Sequence, residues 1–102
     1  MNNKITFNEE EQKAVSAIEH IFKVTFEIIQ SEKRTKSAAF ARQVFCYIFY
    51  HVFGYTFEEI GKMLDNRNHT TILKAVEQYK NDELYFTPFK KDIKSLKKLY
   101  NY

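Results

Sequence analysis

Apolar residues recur every three or four positions along most of the chain, which is the spacing of helices with one buried face. Polar residues fill the intervening positions, and strict alternation typical of half-buried strands is rare. The stripes that define the predicted helices are Ala14, Ile18, Ile21 and Phe22; Val44, Tyr47, Ile48 and Val52; Phe57, Ile60 and Leu64; Ile72, Ala75, Val76 and Tyr79; and Ile93, Leu96 and Tyr100. This pattern predicts an all-α bundle of about six helices.

The ends of the first three helices follow from their flanking residues. The first begins near Asn8, because Glu9 to Glu11 in the first turn complement the helix dipole. Thr25 is expected to cap a short second helix that ends near Ile29. Residues 31–37 are polar and basic and predict a loop. The third helix is then expected over residues 38–53, with Gly54 supplying a left-handed C-cap.

The next two helices are separated by a turn of only a few residues. Thr56-Phe57-Glu58-Glu59 is a capping box that opens the fourth helix. Residues 65–67 form the turn, and a fifth helix starts at Asn68 or His69 and reaches about residue 80. Two short helices joined in this way predict a helix-turn-helix over about residues 56–80. Thr87-Pro88 is expected to cap the sixth helix.

Composition supports one helical domain over residues 1–102. There are 2 Gly and 1 Pro, too few for the many turns of an antiparallel β fold. The single cysteine, Cys46, lies among apolar residues and is expected to be a buried core thiol. The longest apolar stretch, residues 44–53, is too short to span a bilayer. We therefore expect a cytoplasmic, nucleoid-associated protein with no membrane partner.

The net charge of +3 is modest, but its distribution along the chain is uneven. Residues 1–32 contain three Lys and six Glu, whereas residues 33–81 contain eight basic and four acidic residues. Residues 82–102 contain five Lys and three acids. The positive charge therefore belongs to the middle and the end of the chain, where a polyanion would be attracted.

The start of the fifth helix, Asn68-His69-Thr70-Thr71, has two interpretations. Asn is a good N-cap and Thr is tolerated in a first turn, so the residues could serve only the helix. In a helix-turn-helix, however, the second helix enters the major groove and its first residues contact base edges. The basic cluster Lys33-Arg34-Thr35-Lys36 is equally open: it is either a solvated loop or an arm that enters the minor groove.

Several motifs in order resemble domain IV of the bacterial replication initiator DnaA. They are Ala41-Arg42-Gln43-Val44, Glu59-Ile60-Gly61 and Arg67-Asn68-His69-Thr70-Thr71-Ile72, and the similarity extends over about residues 17–78. The resemblance implies a Trp-repressor-like fold, here as a stand-alone domain, that recognises duplex DnaA boxes such as TTATCCACA.

The resemblance also implies roles for individual residues. By position, Arg34 is similar to the arginine that enters the minor groove. Asn68, His69 and Thr70 correspond to the base readers, which Thr71 supports. Arg42 and Gln43 correspond to phosphate contacts at the start of the long helix. The further candidates for phosphate contacts are Arg67, Lys36 and Lys74.

The chain departs from the family pattern at three places. Asn68 replaces an acid, so a group that only accepts hydrogen bonds becomes one that also donates. Asp65-Asn66 replaces Gly-Gly before Arg67, and Phe40-Ala41 replaces Arg-Pro before Arg42. We expect altered or weaker affinity with the same mode of binding.

Other functions are poorly supported by the sequence. It contains no Gly-x-x-x-x-Gly-Lys-Ser/Thr loop for a nucleotide, no metal-ligand spacing and no catalytic grouping, so we expect no cofactor and no enzyme. The remaining alternatives are a transcriptional regulator of a mobile element and a helical protein-interaction module without DNA binding. A homodimer or a replication-initiator partner is conceivable, because Phe45, Phe49, Tyr50 and Phe53 could exceed what one core buries.

Overall fold

A computed structural model of the protein describes residues 6–82 and 89–102. Six helices and no strands are present in these ranges, which confirms the predicted all-α fold. The helices are α1 (Glu9–Phe22), α2 (Phe26–Gln30), α3 (Lys36–His51), α4 (Phe57–Met63), α5 (His69–Asp82) and α6 (Lys90–Tyr100).

Hydrogen bonds at three helix starts confirm the predicted caps Thr25 and Thr56 and the predicted start of α1 near Asn8. Asn8 Oδ1 accepts from Glu11 N–H at 2.8 Å, and the Glu11 carboxylate accepts from Asn8 N–H in return. Thr56 and Glu59 form the same reciprocal pair at the start of α4. Thr25 caps α2 through the N–H of Ile28. Each cap satisfies backbone donors that a helix leaves without intrahelical partners.

The predicted bounds of the third helix were wrong by two residues at each end. The hydroxyl of Thr35 accepts from Ala38 N–H, so α3 begins at Lys36 and not at residue 38. It ends at His51, and Gly54 adopts its left-handed conformation (φ 77°) beyond the C-cap residue Val52. Lys36 therefore lies in the first turn of α3 and not in a loop.

Helix α6 packs on the bundle through one side. Ile93 and Leu96 are buried as predicted, and Tyr100 lies half-buried against Phe53. The predicted cap at Thr87-Pro88 lies outside the described residues. Phe89 precedes the helix and makes no side-chain cap.

Helix α3 forms the centre of the core and contacts α1, α2, α4 and α5. Phe45 and Phe49 are fully buried and stack on each other, while Tyr50 stacks on Phe57 with ring centroids 4.3 Å apart. Phe45 and Phe49 are therefore used inside the domain, whereas Tyr50 remains 36% exposed and Phe53 is half-buried. Cys46 is buried as predicted, and burial raises the pKa of its thiol to about 12.

No helix within the described ranges has both the length and the hydrophobicity that crossing a bilayer requires.

Candidate nucleic-acid interface

The turn between α4 and α5 depends on two consecutive left-handed residues. Asp65 and Asn66 have φ values of 61° and 58°, a conformation that Asn and Asp adopt more readily than most residues. They occupy the positions where the resemblance places Gly-Gly. The turn returns the chain so that Arg67 N–H donates to the carbonyl of Gly61 at 2.8 Å.

Gly61 allows the backbones of α4 and the turn to touch. A Cβ atom at this position would lie 2.2 Å from the Arg67 carbonyl oxygen, far inside any permitted contact. Glycine is therefore required here for close packing, and the distance between the two helices of the motif depends on it.

The recognition segment, which we define as residues 68–71, opens α5 and is exposed. Asn68 Oδ1 accepts from the N–H of Thr70 at 2.8 Å, and its carbonyl accepts from the N–H of Thr71 at 2.9 Å. Asn68 thus caps the helix, while its amide nitrogen remains a donor at the surface. His69, Thr70 and Thr71 follow on the exposed first turn, and Ile72 turns into the core.

Arg42 forms a clamp on the end of α2. Its Nε donates to the Ile29 carbonyl at 2.8 Å and its Nη2 to the Ser31 carbonyl at 2.7 Å. Longer bonds from Nη2 reach the carbonyls of Ile28 and Lys33. These acceptors belong to the last turn of α2 and the basic loop, so Arg42 fixes the loop that carries Arg34. The sequence suggested a phosphate contact for Arg42, and the hydrogen bonds add this structural role.

Arg67 lies between α4 and α5 and donates to the same Ser31 carbonyl as Arg42. Its Nη2 donates to Ser31 O and also to Gln30 O. Two guanidinium groups are thus held side by side, and no ion pair joins either to a carboxylate among the described residues. Burial and the neighbouring charge of Arg67 lower the pKa of Arg42 from its usual value. The region is therefore strongly electropositive.

An open groove of about 290 Å³ runs between α3 and α5 beside this pair. Three of its lining residues are cationic and the others are neutral: Arg42, Arg67 and Lys74, with Ala39, Gln43, Thr71, Ala75 and Gln78. The fold thus brings most of the predicted phosphate contacts to one surface that adjoins the recognition segment.

Two of the predicted basic contacts lie outside the groove lining. Arg34 and Lys36 are exposed on the loop and at the start of α3. The loop is connected to the groove through the bond from Arg42 to the Lys33 carbonyl. The exposed Arg34 side chain thus lies on a loop whose backbone is held by Arg42.

Two of the contacts that connect these parts were not predicted from the sequence. Gln30 Nε2 donates to the Met63 carbonyl at 2.8 Å and joins the end of α2 to the end of α4. The Ser31 carbonyl accepts from both arginines, and backbone acceptors have no sequence signal. Gly61 was detectable, because glycine inside a predicted helix indicates a close approach. No grouping of metal ligands occurs within the described ranges.

The family described as the bacterial DnaA protein helix-turn-helix matches residues 12–78. The chain belongs to this family. The match covers most of α1, all of α2 to α4 and most of α5, and it includes the recognition segment and the groove. Membership of the DnaA helix-turn-helix family identifies the chain as a DNA-binding module whose partner is double-stranded DNA. No solved structure matches the chain. Helix α6 lies beyond the matched residues.

Proposed function

We propose that the chain binds duplex DNA in a sequence-specific manner at sites like the DnaA box TTATCCACA. The observation that supports the proposal is the exposed first turn of α5. The hydrogen bond from Arg67 N–H to the Gly61 carbonyl holds the loop that precedes it. The His and Thr side chains of this first turn offer hydrogen bonds, and the Thr methyl group suits contact with the methyl of thymine. In this mode α5 enters the major groove.

The groove between α3 and α5 would hold the phosphate backbone next to the bases that α5 contacts. Arg42, Arg67 and Lys74 supply its positive charge without a carboxylate neighbour in the lining. A phosphate there would relieve the repulsion between the two guanidinium groups, which favours an anionic ligand. Lys36 at the start of α3 and Gln43 in its middle would contact the same strand, and Arg34 would enter the adjacent minor groove.

The base-reading role is tested by replacing His69 with alanine. We expect a loss of about 1–3 kcal/mol for TTATCCACA, or roughly 5- to 150-fold, because His69 is exposed and would contact a base edge. Affinity for a scrambled duplex should change far less. Fluorescence anisotropy with both duplexes at one stated salt concentration measures the ratio.

The matched control is His20→Ala, which removes an exposed imidazole from α1 and should leave the ratio unchanged. If the wild-type protein bound both duplexes equally, sequence-specific recognition would be refuted. If His69→Ala kept the full preference for the box, the assignment of the recognition segment would be wrong.

Asn68 is expected to shift the base preference relative to the family pattern. Its Oδ1 is engaged by Thr70 N–H, so the group left for DNA is an amide donor. A donor suits acceptors such as N7 of a purine, whereas an acid suits the N4 amino group of cytosine. Asn68→Asp should therefore raise the relative affinity for a site with cytosine at the contacted position by roughly 5- to 150-fold.

The measurement is a panel of duplexes that carry each base at each position of the box. Asp also caps helices well, so the free energy of unfolding of Asn68→Asp should be nearly that of the wild type. A difference between the two base profiles should therefore report base recognition alone. An identical base profile for both proteins would mean that Asn68 acts only as a cap.

We further propose that the chain acts at initiator boxes in the cytoplasm, in replication initiation or its regulation, and without catalysis or nucleotide binding. Its family supports the initiator role, and the exposed recognition segment supports direct contact with the box.

A further inference from the structure

Helix α6 carries a continuous face of lysine. At 100° per residue, its five lysines fall within an arc of about 120°. They are Lys90, Lys91, Lys94, Lys97 and Lys98. The only acid in the helix, Asp92, projects about 100° beyond the edge of this arc. Four of the lysines are exposed, and Lys97 is half-buried.

The four exposed lysines of this face are not needed for the packing of the helix. Ile93 and Leu96 are buried and project beyond the Lys97 edge of the arc, and Tyr102 beyond the helix contacts Tyr79, with their hydroxyls 3.2 Å apart. Tyr79 lies nine residues after Thr70 on α5, which corresponds to a rise of about 13 Å. The end of α6 is therefore placed away from the recognition segment, and the helix lies outside residues 12–78 that match the family.

We infer that the lysine face is a second DNA-binding surface, which contacts the phosphate backbone of duplex DNA outside the site read by α5. This inference rests on the proposed function, since it takes duplex DNA as the ligand. From Lys90 to Lys98 the helix rises about 12 Å, and about seven phosphate charges lie along the same length of a duplex. The four exposed lysines on one arc can pair with several of these phosphates without any base contact.

The apolar residues of α6 argue for DNA and against a membrane. A helix that lies on a bilayer inserts its apolar face, but Ile93 and Leu96 are buried in the core and cannot insert. Leu99, which is 71% exposed, is the one large apolar side chain of the helix left at the surface. Lysine contacts to phosphates require no such face, and they would strengthen binding to any sequence.

The experiment compares the salt dependence of binding for three proteins. Lys94→Gln/Lys98→Gln removes two charges from the face, and Lys13→Gln/Lys23→Gln removes two exposed lysines from α1 and its C-cap. The wild-type protein completes the set. Affinity is measured by anisotropy on a 40-bp duplex with a central box and on a scrambled duplex of equal length, over a series of salt concentrations. Circular dichroism melting confirms that each variant folds.

The α6 variant should reduce the slope of log affinity against log salt by about two on both duplexes, because each lost phosphate contact contributes about 0.9. Its ratio between box and scrambled duplex should stay the same, and the control variant should keep the wild-type slope. An unchanged slope for the α6 variant would overturn the inference while leaving the proposed function intact.

Two further outcomes would also overturn it. Loss of binding by the α6 variant to vesicles with anionic lipid, together with unchanged DNA binding, would assign the face to a membrane surface. A wild-type protein that bound neither duplex would refute the proposed function itself, and the second surface with it.

Discussion

Replacing Gly61 with alanine should unfold or distort the helix-turn-helix, because the added methyl group has no space. The new Cβ would lie 2.2 Å from the carbonyl oxygen of Arg67 and 3.3 Å from its carbonyl carbon. Both atoms belong to the backbone, so no side-chain rotation relieves the clash. The turn must therefore move, and the hydrogen bond from Arg67 N–H to Gly61 O would be lost with it.

We expect Gly61→Ala to lower the free energy of unfolding by about 3 kcal/mol or more, at the upper end of the range for overpacking. The start of α5 is fixed by the same turn, so preference for the box should fall as well. Urea denaturation measures the first effect and anisotropy with box and scrambled duplexes the second.

Gly54→Ala is the matched control for this substitution. Gly54 has φ 77°, but no atom lies within 4 Å of an added Cβ. Its cost should be limited to the strain of a left-handed alanine, about 1–2 kcal/mol, with the base preference intact. Equal destabilisation by the two variants would show that the approach of Gly61 to Arg67 is not what sets the geometry of the motif.

Replacing Arg42 with alanine should destabilise the domain as well as weaken DNA binding. The guanidinium donates to the carbonyls of Ile29 and Ser31 at 2.8 and 2.7 Å, and its removal takes the side-chain donor from Ile29 and leaves Ser31 with Arg67 alone. Hydrogen bonds from charged groups contribute about 1.5–3 kcal/mol each. We expect the free energy of unfolding to fall by about 2–3 kcal/mol.

Two comparisons separate this clamp from a simple phosphate contact. Arg42→Lys keeps the charge but loses the planar fork, so it should be destabilised nearly as much as the alanine variant. Lys74→Ala removes an exposed cation from the same groove, and it should leave unfolding unchanged while reducing the salt slope by about one. If Arg42→Lys were as stable as the wild type, the positive charge of Arg42, and not its hydrogen bonds to α2, would account for its contribution to stability.

Much of the fold could be predicted because its signals are local. Asn8, Thr25 and Thr56 each cap a helix through a donor three residues away, and such spacing is visible in a sequence. The start of α3 was misplaced because Thr35 lies within a run of polar residues. Nothing local distinguished its hydroxyl as the cap from the loop around it.

For the candidate site, the residues that open α5 and the replacement of an acid by Asn68 could be predicted, because helix starts and motif order are properties of neighbours along the chain. The folded chain alone shows that Arg42 and Arg67 share the Ser31 carbonyl and that Gly61 touches Arg67. Those contacts join residues 6 to 36 positions apart, and their acceptors are backbone carbonyls that every residue carries. The position of each carbonyl in the folded chain, and not the type of residue that carries it, therefore determines which one accepts.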